Sequence, residues 1–281
     1  MNILSIQSWV AYGHVGNASA VFPLQRLGAE VWAVHSVQFS NHPGHGGFRG
    51  AATPPALIRD LVQGIAERGM LGQCDAVLSG YLGDLGTGEA ILDAVRQVKA
   101  ANPRALWCCD PVIGDAGRVY VRPGIADFFR DRALPLADIL TPNRFELEWL
   151  SGQEAGTLGA AKSAVAALQA RGPRCVLLTS LRADDTPAEA IDLLAAEDGA
   201  CWRLRTPLLP ISAHGAGDAI AALFLFHHLR CGAARPALEA AASSVFGLLR
   251  RTAEAGAPEL LTIAAQEEFV APSRRFVAEA C

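Results

Sequence analysis

Apolar positions along this chain follow two alternating rhythms. Short continuous runs such as Ile3-Leu4-Ser5-Ile6, Trp107-Cys108-Cys109 and Val176-Leu177-Leu178 have the length of buried strands. Between them, longer stretches carry apolar residues three or four apart, as helices with one buried face do. The pattern predicts strands at 2–6, 30–35, 75–79, 105–109, 137–140, 174–179, 191–196 and 200–205. It predicts helices at 15–27, 55–67, 87–101, 124–132, 143–150, 157–170, 217–231, 234–252 and 260–269. Gly28, Gly69 and Gly172 stand where helix C-caps belong, and Pro103 follows the 87–101 helix. Strand and helix in alternation imply an α/β fold, a mainly parallel central sheet flanked by helices on both faces. Glu197-Asp198-Gly199 between the last two strands is a hairpin signal, so an antiparallel edge is expected.

Length and composition narrow this picture. With 281 residues, 51% apolar and 19% charged, and no linker or repeat, the chain reads as one domain over 1–281. A net charge of -4 without a basic block speaks against nucleic acid as a partner. No apolar run reaches the ~20 residues that span a bilayer, so no membrane partner is expected. The seven cysteines are scattered without a CxxC pair, mostly in strand-like runs, which points to buried reduced thiols and a cytoplasmic protein. Only Lys99 and Lys162 are lysines, so any lysine chemistry has two candidates.

In open parallel sheets, ligands bind beyond the carboxyl ends of the strands. That rule selects the loops 7–14, 36–48, 80–86, 110–117 and 141–146. The segment of about 36–53, with Asn41-His42-Pro43-Gly44-His45-Gly46-Gly47, is too rich in Gly, Pro and His for regular structure and reads as a binding flap.

The strongest chemical signal is Gly215-Ala216-Gly217-Asp218 at the start of an apolar helix. Two glycines turn backbone N–H groups outward, and the helix N-terminus adds partial positive charge, which makes an anion hole for a phosphoryl group in transfer. Asp218 at its edge can accept the proton of an attacking hydroxyl; an ordinary Gly turn with an N-capping Asp is the plainer alternative. Asp110 and Asp115, on a loop after a strand, can share a hydrated Mg²⁺, or simply terminate that strand. Asn143 and Glu146 have capping-box spacing, and Glu146 can also reach the metal or its waters. Ser8 offers a donor and acceptor at a strand end, with Trp9 and Tyr12 as flat surfaces for a planar heteroaromatic substrate; core aromatics in a plain turn are the alternative. The near-Walker run Gly156 to Ser163 fails, because Ala161 replaces a required glycine and no strand precedes it. Adjacent His227 and His228 on one helix face different directions and make no metal pair.

Together, Ser5-Ile6-Gln7-Ser8, Tyr12-Gly13-His14-Val15-Gly16-Asn17, Val37-Gln38-Phe39-Ser40-Asn41-His42, Ser79-Gly80-Tyr81-Leu82-Gly83, Asp110-Pro111-Val112-Ile113-Gly114, Thr141-Pro142-Asn143 with Glu146, and Gly215 to Asp218 resemble the ribokinase-like superfamily, and within it the bacterial pyridoxal kinases. The matches run in order from residue 2 to about residue 230. The resemblance implies a ribokinase-like fold and ATP-dependent phosphorylation of the 5′-hydroxymethyl group of pyridoxal, pyridoxine or pyridoxamine. It implies Asp218 as base, Gly215, Ala216 and Gly217 as anion hole, and Ser8, Pro43, Gly44 and Tyr81 as substrate contacts. Asp110, Thr141, Glu146 and Thr179 fall at nucleotide positions, Thr206, Pro207, Leu208 and Leu209 on the loop flanking adenine, and Asp110, Asp115 and Glu146 near Mg²⁺. The family is typically homodimeric, and a monovalent cation is a further candidate cofactor. Two departures stand out: Thr179-Ser180 where many bacterial members carry a lysine, and Pro43-Gly44-His45 in place of more polar flap residues. A hydroxymethylpyrimidine kinase and a catalytically weak B6-binding or delivery protein remain as alternatives.

Overall fold

The computed structural model describes residues 1–211 and 214–281. Ten strands form one sheet, in chain order β1 (Asn2–Val10), β2 (Glu30–Phe39), β3 (Gly50–Ala52), β4 (Ala76–Ser79), β5 (Leu106–Cys109), then β8 (Ile139–Leu140), β9 (Cys175–Leu181), β10 (Ala190–Glu197), β11 (Ala200–Pro207) and β12 (Glu279–Ala280). A separate two-stranded hairpin, β6 (Gly114–Asp115) and β7 (Arg118–Val119), hangs beyond β5. Across the sheet the order is β12-β11-β10-β9-β8-β5-β4-β1-β2-β3. The six strands from β9 to β2 in that order run parallel, and both flanks are antiparallel. One antiparallel edge was expected; the second, β3 against β2, is too short and too rich in glycine and alanine to show in the sequence.

Side-chain alternation divides the core in two. Leu4, Ile6, Val77, Val176 and Leu178 face α2 (Pro55–Glu67), α3 (Leu85–Ala101), α5 (Arg144–Ser151) and α6 (Leu158–Gln169), together with the short α4 (Ile125–Phe128). Ile3, Ala76, Leu78 and Leu177 face α1 (Asn17–Arg26), α7 (Ala216–Cys231) and α8 (Ala234–Glu254). Strands buried on both faces are what a parallel sheet between two helix layers requires.

Where expectation and structure differ, the causes are local. β1 and β2 continue to Val10 and Phe39, well past their expected ends, because these residues pair with each other. The expected 124–132 helix stays α-helical only over α4 and then loosens into a π turn at Phe129–Ala133. The 260–269 helix is replaced by turns and a four-residue helix, α9 (Glu267–Val270). Gly28 and Gly69 do cap helices with φ of 90° and 70°. Gly172 instead lies against the backbone of Leu134 and Pro135, where a Cβ would collide. The hairpin Asp198-Gly199 has φ of 50° and 81°, the primed turn its sequence called for.

Candidate active site

The five selected loops meet at the carboxyl ends of the parallel strands, around a cleft of about 1020 Å³. Its floor at one end is the start of α7. Gly215 has φ +93°, and a Cβ there would run into the carbonyl oxygen of His14. The Ser19 hydroxyl donates to the Gly215 carbonyl at 2.8 Å, which ties the turn to α1. Nothing crowds Gly217. The N-termini of α1 and α7 therefore arrive side by side, and their free N–H groups favour negative charge between them.

Asp218 sits in that junction. Its carboxylate accepts hydrogen bonds from the N–H of Gly16 and from its own N–H, yet burial outweighs them and lifts its pKa to about 6. Gly16, with φ +55°, presses against the carbonyl and hydroxyl of Ser8 so closely that no Cβ fits. One glycine thus brings Ser8 of β1 and Asp218 of α7 to the same corner. Between Gln7 and Trp9 the β1–β2 register shifts, Ser8 of β1 facing Ser36 and Val37 of β2, and this irregularity re-aims the strand beside the cleft.

The opposite wall carries acids. Asp110, 7% exposed, accepts a hydrogen bond from the Thr141 hydroxyl at 3.0 Å. Burial, then the neighbouring Glu146 and Asp218, hold its carboxyl well above the usual range. Glu146 is pushed up to about 8 by burial, against the pull of three backbone N–H groups. One Glu146 oxygen accepts from Ile113 N at 2.9 Å and the other from Asn143 N at 2.9 Å. Asn143 Oδ1 in turn accepts from Glu146 N at 2.9 Å, completing the capping box that the spacing implied. Asp115 is exposed on the β6–β7 hairpin and accepts from Ala116 N. On the same hairpin, Arg118 is the one Arg or Lys among the described residues lining the cleft.

The flap crosses above the cradle. Pro43–His45 form a short turn, and the His42 ring stacks on His214 with centroids 3.8 Å apart. His45 Nε2 lies 2.9 Å from Glu259 Oε1, while Glu259 Oε2 accepts from His14 N at 3.2 Å. Burial, with His214 and His45 beside it, lowers His42 to about 4, so its imidazole is neutral at pH 7. The Tyr81 carbonyl accepts from the Ser36 hydroxyl at 2.7 Å, which fixes the next loop beneath the flap.

Every residue singled out as catalytic, substrate-binding, nucleotide-binding or metal-binding lines this one cleft. The flat surfaces do not. Trp9 packs on His35 at 4.9 Å and Tyr12 is 58% exposed, and neither lines the cleft. Because β1 runs on to Val10, alternation puts Ser8 and Val10 on the cleft side and turns Trp9 away. Several cleft residues were missed. Ala242, Val245, Phe246 and Leu249 of α8 wall the end beside Thr206 to Leu209, and their helical spacing was a readable stripe with no visible destination. Ser180, beside Thr179, adopts φ +54°, a conformation no local residue type announces. Arg118 belongs to no motif, and neither does Glu259, which holds the flap through His45.

Parallel sheet, paired antiparallel flanks and a glycine cradle at a helix start define the ribokinase-like fold. Residues 37–260 match the family model described as phosphomethylpyrimidine kinase. Pyridoxal kinase PdxY of Granulibacter bethesdensis is 62% identical over 286 residues, covering all of both chains. That of Rubrobacter xylanophilus is 55% identical over 278 residues, covering 98% of this chain and 96% of its own. A pyridoxal kinase from Leishmania donovani, solved in complex with ADP and pyridoxamine, superposes with a TM-score of 0.92 at 27% identity, covering 100% and 99% of the two chains. The chain belongs to the pyridoxal kinase family.

Proposed function

We infer that the protein transfers the γ-phosphoryl group of ATP to the 5′-hydroxymethyl group of pyridoxal, giving pyridoxal 5′-phosphate in vitamin B6 salvage. The observation that carries this reading is Asp218, a carboxylate set between two helix N-termini within the same corner as Ser8. With a pKa of about 6 it is mostly ionised at neutral pH and basic enough to take the proton of the attacking hydroxyl. Gly215, Ala216 and Gly217 offer N–H groups to the charge that develops on the transferred phosphoryl oxygens. Ser8, Tyr81, Pro43 and Gly44 hold the vitamin, and flap closure excludes water that would otherwise compete as acceptor.

ATP lies along the other arm, with its base in the slot between Thr206-Pro207-Leu208-Leu209 and the α8 stripe. Thr141 and Thr179 line the path between base and cradle. Arg118 supplies the positive charge that a lysine at position 179 supplies elsewhere. The buried carboxyls of Asp110 and Glu146 fit a divalent cation, since neither ionises readily without one. Mg²⁺ would be held by Asp110, with Glu146 and Asp115 reached through its waters, and would neutralise phosphate charge. Glu146 is placed through water because both its oxygens already accept backbone N–H groups. A homodimer in the cytoplasm completes the reading.

The test is phosphate transfer from MgATP by purified protein to a panel of pyridoxal, pyridoxine, pyridoxamine and hydroxymethylpyrimidine. Pyridoxal is expected to show the highest kcat/KM, and Arg118→Ala to raise the KM for ATP. A pyrimidine that outruns every B6 vitamer, or ligand binding without turnover, would overturn it.

A further inference from the structure

Cys201 and Cys281 lie far from the cleft, at the sheet edge, with sulfurs 2.9 Å apart although they stand 80 positions apart in sequence. Cys201 is the second residue of β11, at the end of the strand opposite Thr206 and Pro207. The pairing of Trp202 with Ala280 and Arg203 with Glu279 continues one step to set Cys201 opposite Cys281. Cys281 N donates to the Cys201 carbonyl at 2.9 Å, so the two form a hydrogen-bonded antiparallel pair. Such pairs have Cα atoms about 5.5 Å apart, within the span a disulfide bridges.

The segment this pair terminates is a strap across α8. Phe276 N donates to the Ser243 hydroxyl and Ala278 N to Glu239 Oε1, both at 3.0 Å. The Arg274 guanidinium lies 5.6 Å from the Phe246 ring and 4.8 Å from the Phe276 ring. Phe246 belongs to the wall of the cleft, so the strap backs that wall. Its last strand is only two residues long, and such an edge frays easily.

We propose that Cys201 and Cys281 are a thiol pair that closes to a disulfide by exchange with a low-molecular-weight disulfide, stapling the C-terminal strap to β11. Cys281 follows the two-residue edge strand while Cys201 sits within β11 and burial pushes its thiol up, so Cys281 enters first. Its thiolate attacks one sulfur of RSSR, forming a mixed disulfide and releasing one thiol. The Cys201 sulfur then attacks Cys281, gives up its proton and expels the second thiol. Two protein thiols and one RSSR yield one protein disulfide and two RSH, with two electrons passed to RSSR. The other five cysteines have no such partner among the described residues.

The experiment incubates the reduced full-length chain with glutathione disulfide over a range of ratios to glutathione. Acid quenching, alkylation under denaturing conditions and peptide mapping then read the product. The expected result is a cross-linked 201–281 peptide with both thiols protected from alkylation. Closing an 80-residue loop lowers the unfolding constant by up to roughly a thousandfold, so the oxidised protein should melt several degrees higher. Cys281→Ser should lose both the cross-link and the shift. A stable glutathione adduct on Cys281 with Cys201 free, or both thiols alkylated at every ratio, would overturn the proposal. So would an equal melting shift in Cys281→Ser.

Discussion

Replacing Asp218 with Asn tests the base and its environment together. Asn keeps the size of the side chain and an oxygen for the Gly16 N–H, but it cannot accept the substrate proton. Loss of a positioned general base costs about 10²–10⁴-fold in kcat, which is roughly 2.7–5.5 kcal/mol of activation free energy. The proton moves only in the transition state, so KM for pyridoxal should change little while kcat and kcat/KM fall together. In the wild type, a base with a pKa of about 6 is about nine-tenths ionised at pH 7 and about one-tenth ionised at pH 5. Its kcat/KM should therefore fall nearly tenfold per pH unit below 6, whereas the Asn variant should lack that limb. Stability should move the opposite way. The folded-state pKa lies above the ordinary 3.8, so the ionised group destabilises the fold increasingly as pH rises from 4 to 6, and fully above 6. Asp218→Asn removes that cost, so it should melt higher than wild type at pH 7.5 and equally at pH 4. Steady-state kinetics across pH 5–8 and thermal melts at both pH values provide the readout. A variant that keeps more than a tenth of wild-type kcat, or retains an acid limb near pH 6, would refute the assignment of Asp218 as base.

Two further substitutions probe what surrounds it. Gly215→Ala places a methyl against the His14 carbonyl in a left-handed conformation, so cradle and N-terminal loop must part. That strain costs about 1–3 kcal/mol, and a lower melting temperature with a larger loss in kcat than in ATP binding is expected. Glu259→Ala removes the acceptor shared by His45 and the His14 N–H, one of the flap's links to the rest of the molecule beside the His42–His214 stack. Hydrogen bonds to a charged group contribute about 1.5–3 kcal/mol, so KM for pyridoxal should rise about tenfold and amides of 40–49 should exchange faster by hydrogen–deuterium exchange. Unchanged exchange in the flap would show that Glu259 does not hold it.

Much of this architecture was legible in the chain because it depends on local or periodic signals. The order of strands and helices follows from apolar runs and their spacing, and the cradle from two glycines and an acid before an apolar helix. The capping box at Asn143 and the primed turn at Asp198-Gly199 are likewise local. What the sequence left open depends on contacts between distant segments. Trp9 was misassigned because nothing nearby says that β1 continues beside β2 as far as Val10. Arg118 and Glu259 belong to no motif, and their place comes from a hairpin brought to the cleft and a loop brought to the flap by the whole fold. The 260–269 stretch reads as a helix from spacing alone, yet becomes turns where Leu260, Thr262 and Ala265 are buried. By itself the sequence determined the α/β alternation and the glycine turn with an acid at the start of an apolar helix, since both are written within a few residues of each other. Only the tertiary structure decided that Gly16 packs against Ser8 and donates to Asp218, that α8 walls the cleft beside Thr206 to Leu209, and that burial raises Asp218 to about 6. A side chain's field and neighbours come from segments remote in sequence, and these meet only once the chain has folded.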